Sequence, residues 1–111
     1  MLRRSAARAG GERLSVHDVE IDLRTRRVSV SGVSVLLAGK ELQLLVKLAE
    51  DPTRVWTKDE LLREVWGFRS QGRTRTLDSH ASRLRRKLNL PGLTRPYVLN
   101  VWGVGYRLVD D

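Results

Sequence analysis

Between Leu14 and Leu37 apolar residues alternate with polar ones or run through β-branched stretches. VEIDL (19–23), RVSVS (27–31) and VSVLL (33–37) each carry this pattern, which sends successive side chains to opposite faces of a strand. Arg24–Arg26 and Ser31–Gly32 supply the turns between them. Three short strands joined this tightly predict an antiparallel meander. At Lys40 the period lengthens. In KELQLLVKLAED, Leu42, Leu45, Val46 and Ala49 fall at helical spacing, Leu44 and Leu48 widen the stripe, and Pro52 ends the helix. VWTKDELLREVWG (55–67) predicts a second helix. Thr57 and Glu60 form a T-x-x-E capping box that satisfies orphan amides at its start, Leu61, Leu62, Val65 and Trp66 give its buried face, and Gly67 stops it. A polar loop over 67–73 leads into a third helix, 75–88, followed by Pro91–Gly92. YVLNV (97–101) and YRLVD (106–110) flank the short turn W-G-V-G, a hairpin signal. The order is sheet, three helices, hairpin: an α+β domain over 14–111. Residues 1–13, aperiodic and rich in Arg, Ala and Gly, read as a tail or linker.

The third helix carries the most chemistry. At 100° per residue, Leu77, Ala81, Leu84 and Leu88 cluster within about 60° of one another. Opposite that stripe lie Arg75, Ser79, Ser82, Arg83 and Arg86; Thr76, His80 and Lys87 line one flank, Asp78 and Arg85 the other. The helix is apolar behind and basic in front, with small serines that permit close approach. Arginine offers planar, bidentate donors suited to phosphate and to the major-groove edge of guanine, and an α-helix fits that groove in width.

Charge changes the picture by its placement. The formal net charge is +8, and residues 69–95 alone hold eight basic side chains against one acid, Asp78. A localised basic patch on a small domain suggests a polyanion, most often nucleic acid; its bland counterpart is a solvated helix face. The 111 residues, 41% apolar, suffice for one modest core. There is no cysteine, hence no disulfide or thiolate chemistry, and no apolar run approaches the roughly 20 residues that cross a bilayer. MLRRSAARAGG has the charge of a signal peptide but no apolar segment. A cytoplasmic protein without membrane association is expected. No nucleophile–base pair or phosphate-cradling glycine loop is apparent, so no enzyme is expected and no cofactor. His17 and His80 are far apart in sequence, which argues against a metal site.

Four stretches, LLAGKELQLLVKLAEDP, VWTKDELLREVWG, RTLDSHASRLRRKL and NVWGVGYRL, resemble in order and spacing the effector domain of OmpR/PhoB-type response regulators. The resemblance covers roughly residues 14–109. It implies a winged helix-turn-helix: an N-terminal antiparallel sheet, three helices with the third in the DNA major groove, and a C-terminal hairpin wing on the backbone or minor groove. It implies sequence-specific binding of double-stranded DNA to regulate transcription, commonly as tandem head-to-tail dimers on direct repeats, under control of a phosphorylated receiver domain. MLRRSAAR looks like the end of such a receiver's last helix plus a linker, so an excised C-terminal domain is expected.

By the same resemblance, Arg75, Thr76, Ser79, His80, Arg83 and Arg85 occupy DNA-contacting positions, with Arg86 beside them. Ser79 and Arg83 are expected on bases, Arg75 on bases or phosphates, and Thr76, His80 and Arg85 on phosphates. Trp66 and Tyr106 match phosphate-contacting aromatics, each equally readable as core. The loop 67–73 corresponds to a transactivation loop, which makes Phe68 and Arg69 candidates for contact with RNA polymerase. Two positions depart from the pattern. Trp102 stands where the wing usually carries Arg, so it stacks on a sugar, packs on a neighbouring protomer or covers the core, and Asn100 becomes the polar wing contact. Ala38–Gly39 replaces the usual Thr cap of the first helix. Two rivals remain: an RNA-binding or ribosome-associated domain, against which stands the absence of aromatics from residues 14–37, and a basic module that docks on an acidic protein.

Overall fold

The computed structural model describes residues 13–67, 74–92 and 96–110. The chain divides into two units at Leu36–Leu37.

The first unit is a four-stranded antiparallel meander, β1 (Arg13–Val16), β2 (Val19–Asp22), β3 (Arg27–Val30) and β4 (Val33–Val35), in sequential order. It has one strand more than the alternation predicted, and it opens at Arg13, one residue inside the expected tail. Register follows from the two-residue turns. Val16 pairs with Val19 across His17–Asp18, and Val30 pairs with Val33 across Ser31–Gly32. Ser31 and Gly32 both have positive φ (51° and 80°), the backbone of a type I′ hairpin turn. Between β2 and β3 the Asp22 carboxylate accepts from the amides of Arg24 (3.0 Å) and Thr25 (3.1 Å), which shapes the turn. Val19 sits opposite Val30 and Ile21 opposite Val28; all four are buried, while Glu20 and Ser34 are exposed. The period-2 pattern thus sorts one apolar and one polar face. The apolar run VSVLL ends early as strand, and Leu36 is left 90% exposed.

The second unit begins with α1 (Gly39–Glu50). Ala38 supplies no side-chain cap. The Glu41 carboxylate instead reaches back to accept from the Ala38 amide at 3.0 Å, half of a capping box. Leu42, Leu44, Leu45, Leu48 and Ala49 are buried; Val46, expected in the stripe, is half-exposed. After β5 (Trp56–Thr57), α2 (Lys58–Leu61) starts with both halves of its capping box in place. Thr57 Oγ1 accepts from the Glu60 amide (3.1 Å), and the Glu60 carboxylate accepts from the Thr57 amide (2.8 Å). α2 continues as a wider π-helical turn over Leu62–Trp66. Gly67 closes it in the left-handed region (φ 80°), its amide donating to Leu62 and Arg63 carbonyls.

The long helix α3 (Thr74–Leu88) packs on α1 and α2 through Leu77, Ala81, Leu84 and Leu88, all fully buried. Burial of a leucine is worth about 1.5–3 kcal/mol. β6 (Leu99–Val101) and β7 (Gly105–Arg107) form the C-terminal hairpin, and β5 joins β7 to give a three-stranded sheet in the order β5-β7-β6. Trp56 pairs with Tyr106 and Thr57 with Gly105. At Gly105 the strands come so close that a β-carbon would collide with the Trp56 carbonyl oxygen. No helix among the described residues is long and apolar enough to cross a membrane.

Candidate nucleic-acid interface

The exposed side of α3 is built by its own spacing. With Leu77, Ala81, Leu84 and Leu88 pinned in the core, Arg75, Ser79, Ser82, Arg83 and Arg86 are all exposed. They line a shallow, open trough together with Thr74 and Asp78. Three guanidinium groups and two hydroxyls therefore share one surface. The single acid on that helix is neutralised in place. Asp78 Oδ1 accepts a hydrogen bond from the Tyr106 hydroxyl (2.6 Å) and lies 3.2 Å from Lys58 Nζ. Without those partners its carboxylate would repel any polyanion brought to the trough.

One flank of α3 meets the end of α2. The His80 and Trp66 rings pack edge to face, centroids 5.0 Å apart at 74°. Lys40 sits 5.9 Å over the Trp66 ring and donates to the Val65 carbonyl at 2.8 Å. His80 Nδ1 is 2.8 Å from the Thr76 carbonyl. A carbonyl only accepts, so Nδ1 carries the hydrogen. Trp66 and His80 are half-exposed. Trp66 is thus not the buried residue that the helix periodicity predicts; it caps the edge of the basic surface.

The other sequence-derived candidates scatter. Arg85 is half-buried, and its Nε donates to the Val98 carbonyl at 2.9 Å. Tyr106 is buried at 5% exposure with its hydroxyl turned to Asp78; burial, and then the neighbouring carboxylate, hold the phenol above its usual range. Asn100 is exposed on β6, directly across from Tyr106. Thr76 is half-exposed. Phe68 and Arg69 lie outside the described residues. Trp102, at the hairpin turn, is 86% exposed, so it does not cover the core.

Sequence reasoning missed the groups that hold this surface together. Lys87 on α3 donates to buried Glu41 of α1 at 2.7 Å. Burial raises the Glu41 carboxyl, but the Lys87 hydrogen bond, the Ala38 amide and nearby cations outweigh it and leave it below the usual range. Lys58 and Asp78 likewise join elements twenty residues apart. Each is an ordinary helix-face residue in the sequence, and no spacing rule pairs them. Among the described residues, no group of three or more His, Cys, Asp or Glu side chains is placed to hold a metal ion.

The family described as "Transcriptional regulatory protein, C terminal" matches residues 32–108. The chain is 43% identical over 96 residues to the DNA-binding response regulator MtrA of Mycobacterium tuberculosis (strain ATCC 25618 / H37Rv), covering 86% of this chain and 42% of that protein. It thus spans less than half the length of this curated relative. Among solved structures it is similar to the DNA-binding domain of response regulator AdeR in complex with an intercistronic region (TM-score 0.75, 33% identity, 87% of this chain and 98% of that one). It is also similar to the Klebsiella pneumoniae RstA DNA-binding domain in complex with the RstA box (TM-score 0.80, 27% identity, 91% and 100% covered).

Proposed function

The chain belongs to the family of C-terminal effector domains of OmpR/PhoB-type transcriptional regulatory proteins, and from that membership we propose that it binds double-stranded DNA sequence-specifically to regulate transcription. The observation that carries the reading is α3, with four core residues fully buried and Arg75, Ser79, Arg83 and Arg86 exposed on the opposite side. A helix so mounted enters a major groove about 12 Å wide. Arg83 and Ser79 face base edges, Arg75 faces bases or phosphates, and Thr76, His80 and Arg86 face phosphates. Phosphate contacts set the register and base contacts set the sequence. Trp66, wedged between Lys40 and His80, closes one edge of the footprint. Arg85 and Tyr106 hold the hairpin as well as approaching the backbone, and exposed Asn100 is the hairpin's polar contact. The domain performs no chemistry on its ligand. Its target is cytoplasmic, as bacterial operators are.

Two copies on direct repeats form the bound unit, and Phe68 and Arg69 offer a contact to RNA polymerase; family resemblance supports both. Selection of bound duplexes from a random pool tests the reading. A recovered motif repeated about one helical turn apart is expected. Recovery of no motif, or tighter binding to RNA of equal length, overturns it.

A further inference from the structure

The hairpin is fastened to α3 along one helix face. Asp78, Arg85 and Asn89 lie seven and four residues apart, which returns each to nearly the same azimuth. Asp78 accepts from the Tyr106 hydroxyl at 2.6 Å. Arg85 Nε donates to the Val98 carbonyl at 2.9 Å. Asn89 Oδ1 accepts from the Tyr97 amide at 3.0 Å, and its Nδ2 lies 3.4 Å from the Tyr97 carbonyl. Val98 itself is fully buried with φ at +63°, a conformation a β-branched residue adopts only when its surroundings impose it. Its amide is bonded to the Leu108 carbonyl, so both hairpin arms are fixed at their base. At the far end the Val104 amide donates to the Val101 carbonyl (2.9 Å), closing a three-residue turn, and the Lys58 amide meets the Val104 carbonyl at 3.4 Å.

That turn presents Trp102 at 86% exposure and Val104 at 46%, with Gly103 between them at φ +78°. From Leu99 to Tyr106 no residue is charged. An indole held on a rigid, narrow tip finds no partner within this unit. The tip is far smaller than the roughly 800 Å² per partner of a stable protein interface. It is, however, continuous with the α3 surface through the Asp78–Tyr106 bond.

Resting on the DNA-binding reading above, we propose that Trp102 is an apolar contact to the duplex, its ring packed against sugar edges in the minor groove beside the segment that α3 reads. A minor groove about 6 Å wide admits a flat side chain, and apolar wedges are a recurrent means of gripping it. The contact adds affinity without charge, so no counterion is released on its account. It also responds to groove width, so it discriminates sequence at positions α3 never touches.

The test uses the selected duplex, as a single half-site and as the full repeat, with Trp102→Ala, Trp102→Phe and Trp102→Arg. On the half-site, Trp102→Ala weakens binding roughly 5- to 100-fold, with an unchanged slope of log affinity against log salt and an unchanged Tm. Trp102→Phe retains part of the affinity. Trp102→Arg binds with a slope steeper by about one. Wild-type tryptophan emission changes on binding by an amount that Trp102→Phe lacks. Equal half-site affinity for wild type and Trp102→Ala overturns the proposal, as does a loss accompanied by a shallower slope. A loss confined to the full repeat also overturns it and assigns the ring to a neighbouring copy. If wild type binds no duplex at all, the DNA-binding reading itself has failed.

Discussion

α3 and the hairpin turn meet solvent in opposite ways. α3 shows guanidinium groups and hydroxyls over a fully buried leucine backing, whereas Trp102–Val104 shows an indole and an isopropyl group on a stretch without charge. A basic helix draws a polyanion from a distance and loses affinity as salt rises. An uncharged tip acts only on contact, and salt hardly alters it. Capture and close fit are thus divided between two elements that share one set of polar fastenings, Asp78–Tyr106, Arg85–Val98 and Asn89–Tyr97.

The division can be broken most severely from inside. Leu84→Ala removes a fully buried side chain from the backing of α3, and unfolding by denaturant is expected to show a loss of about 2–5 kcal/mol. Hydrogen exchange should show α3 and the hairpin losing protection together. Protection retained in the hairpin alone contradicts their coupling. Next in size, Arg83→Ala leaves stability unchanged but costs about 1–3 kcal/mol of binding, with relaxed preference at one base pair, as measured on single-base variants of the selected duplex. A uniform loss over all sequences makes Arg83 a phosphate contact. Arg86→Ala sharpens the contrast with Trp102→Ala: a modest loss and a salt slope shallower by about one.

The smallest effect lies behind the basic face. Glu41, buried and bonded to Lys87, has a folded-state pKa below its unfolded value. Its contribution is fully present above the unfolded pKa, about 4.3, and disappears as pH falls through the folded one. The Tm advantage of wild type over Glu41→Gln should be constant near neutrality and shrink in acid. An advantage that persists at the lowest pH refutes the assignment. The same bond means that Lys87 is already engaged within the fold, unlike Arg83.

Elements whose partners are close in sequence were legible. The alternation in VEIDL and RVSVS, the Thr57–Glu60 box and the leucine stripe of α3 all act through neighbours within one or two turns of chain. β1 escaped because Arg13–Val16 offers only two apolar positions before the turn at His17. β5 escaped because two residues carry no period, and it exists only by pairing with β7. The basic face of the site was legible from the helical wheel. The neutralisation of Asp78 by Lys58 and Tyr106, the edge position of Trp66 and the left-handed Val98 were not, since each is imposed by residues brought together only in the folded chain.

The close approach at Gly105 has a temporal consequence. Trp56 pairs with Tyr106, fifty residues downstream, across a gap that only a hydrogen side chain fits. β5 runs directly into the box that starts α2. A chain leaving the ribosome can therefore complete its helices but cannot latch β5 until nearly its last residue has emerged. Until then it carries an open strand edge, so nascent or C-terminally clipped copies are the forms most exposed to proteases and to mispairing with one another.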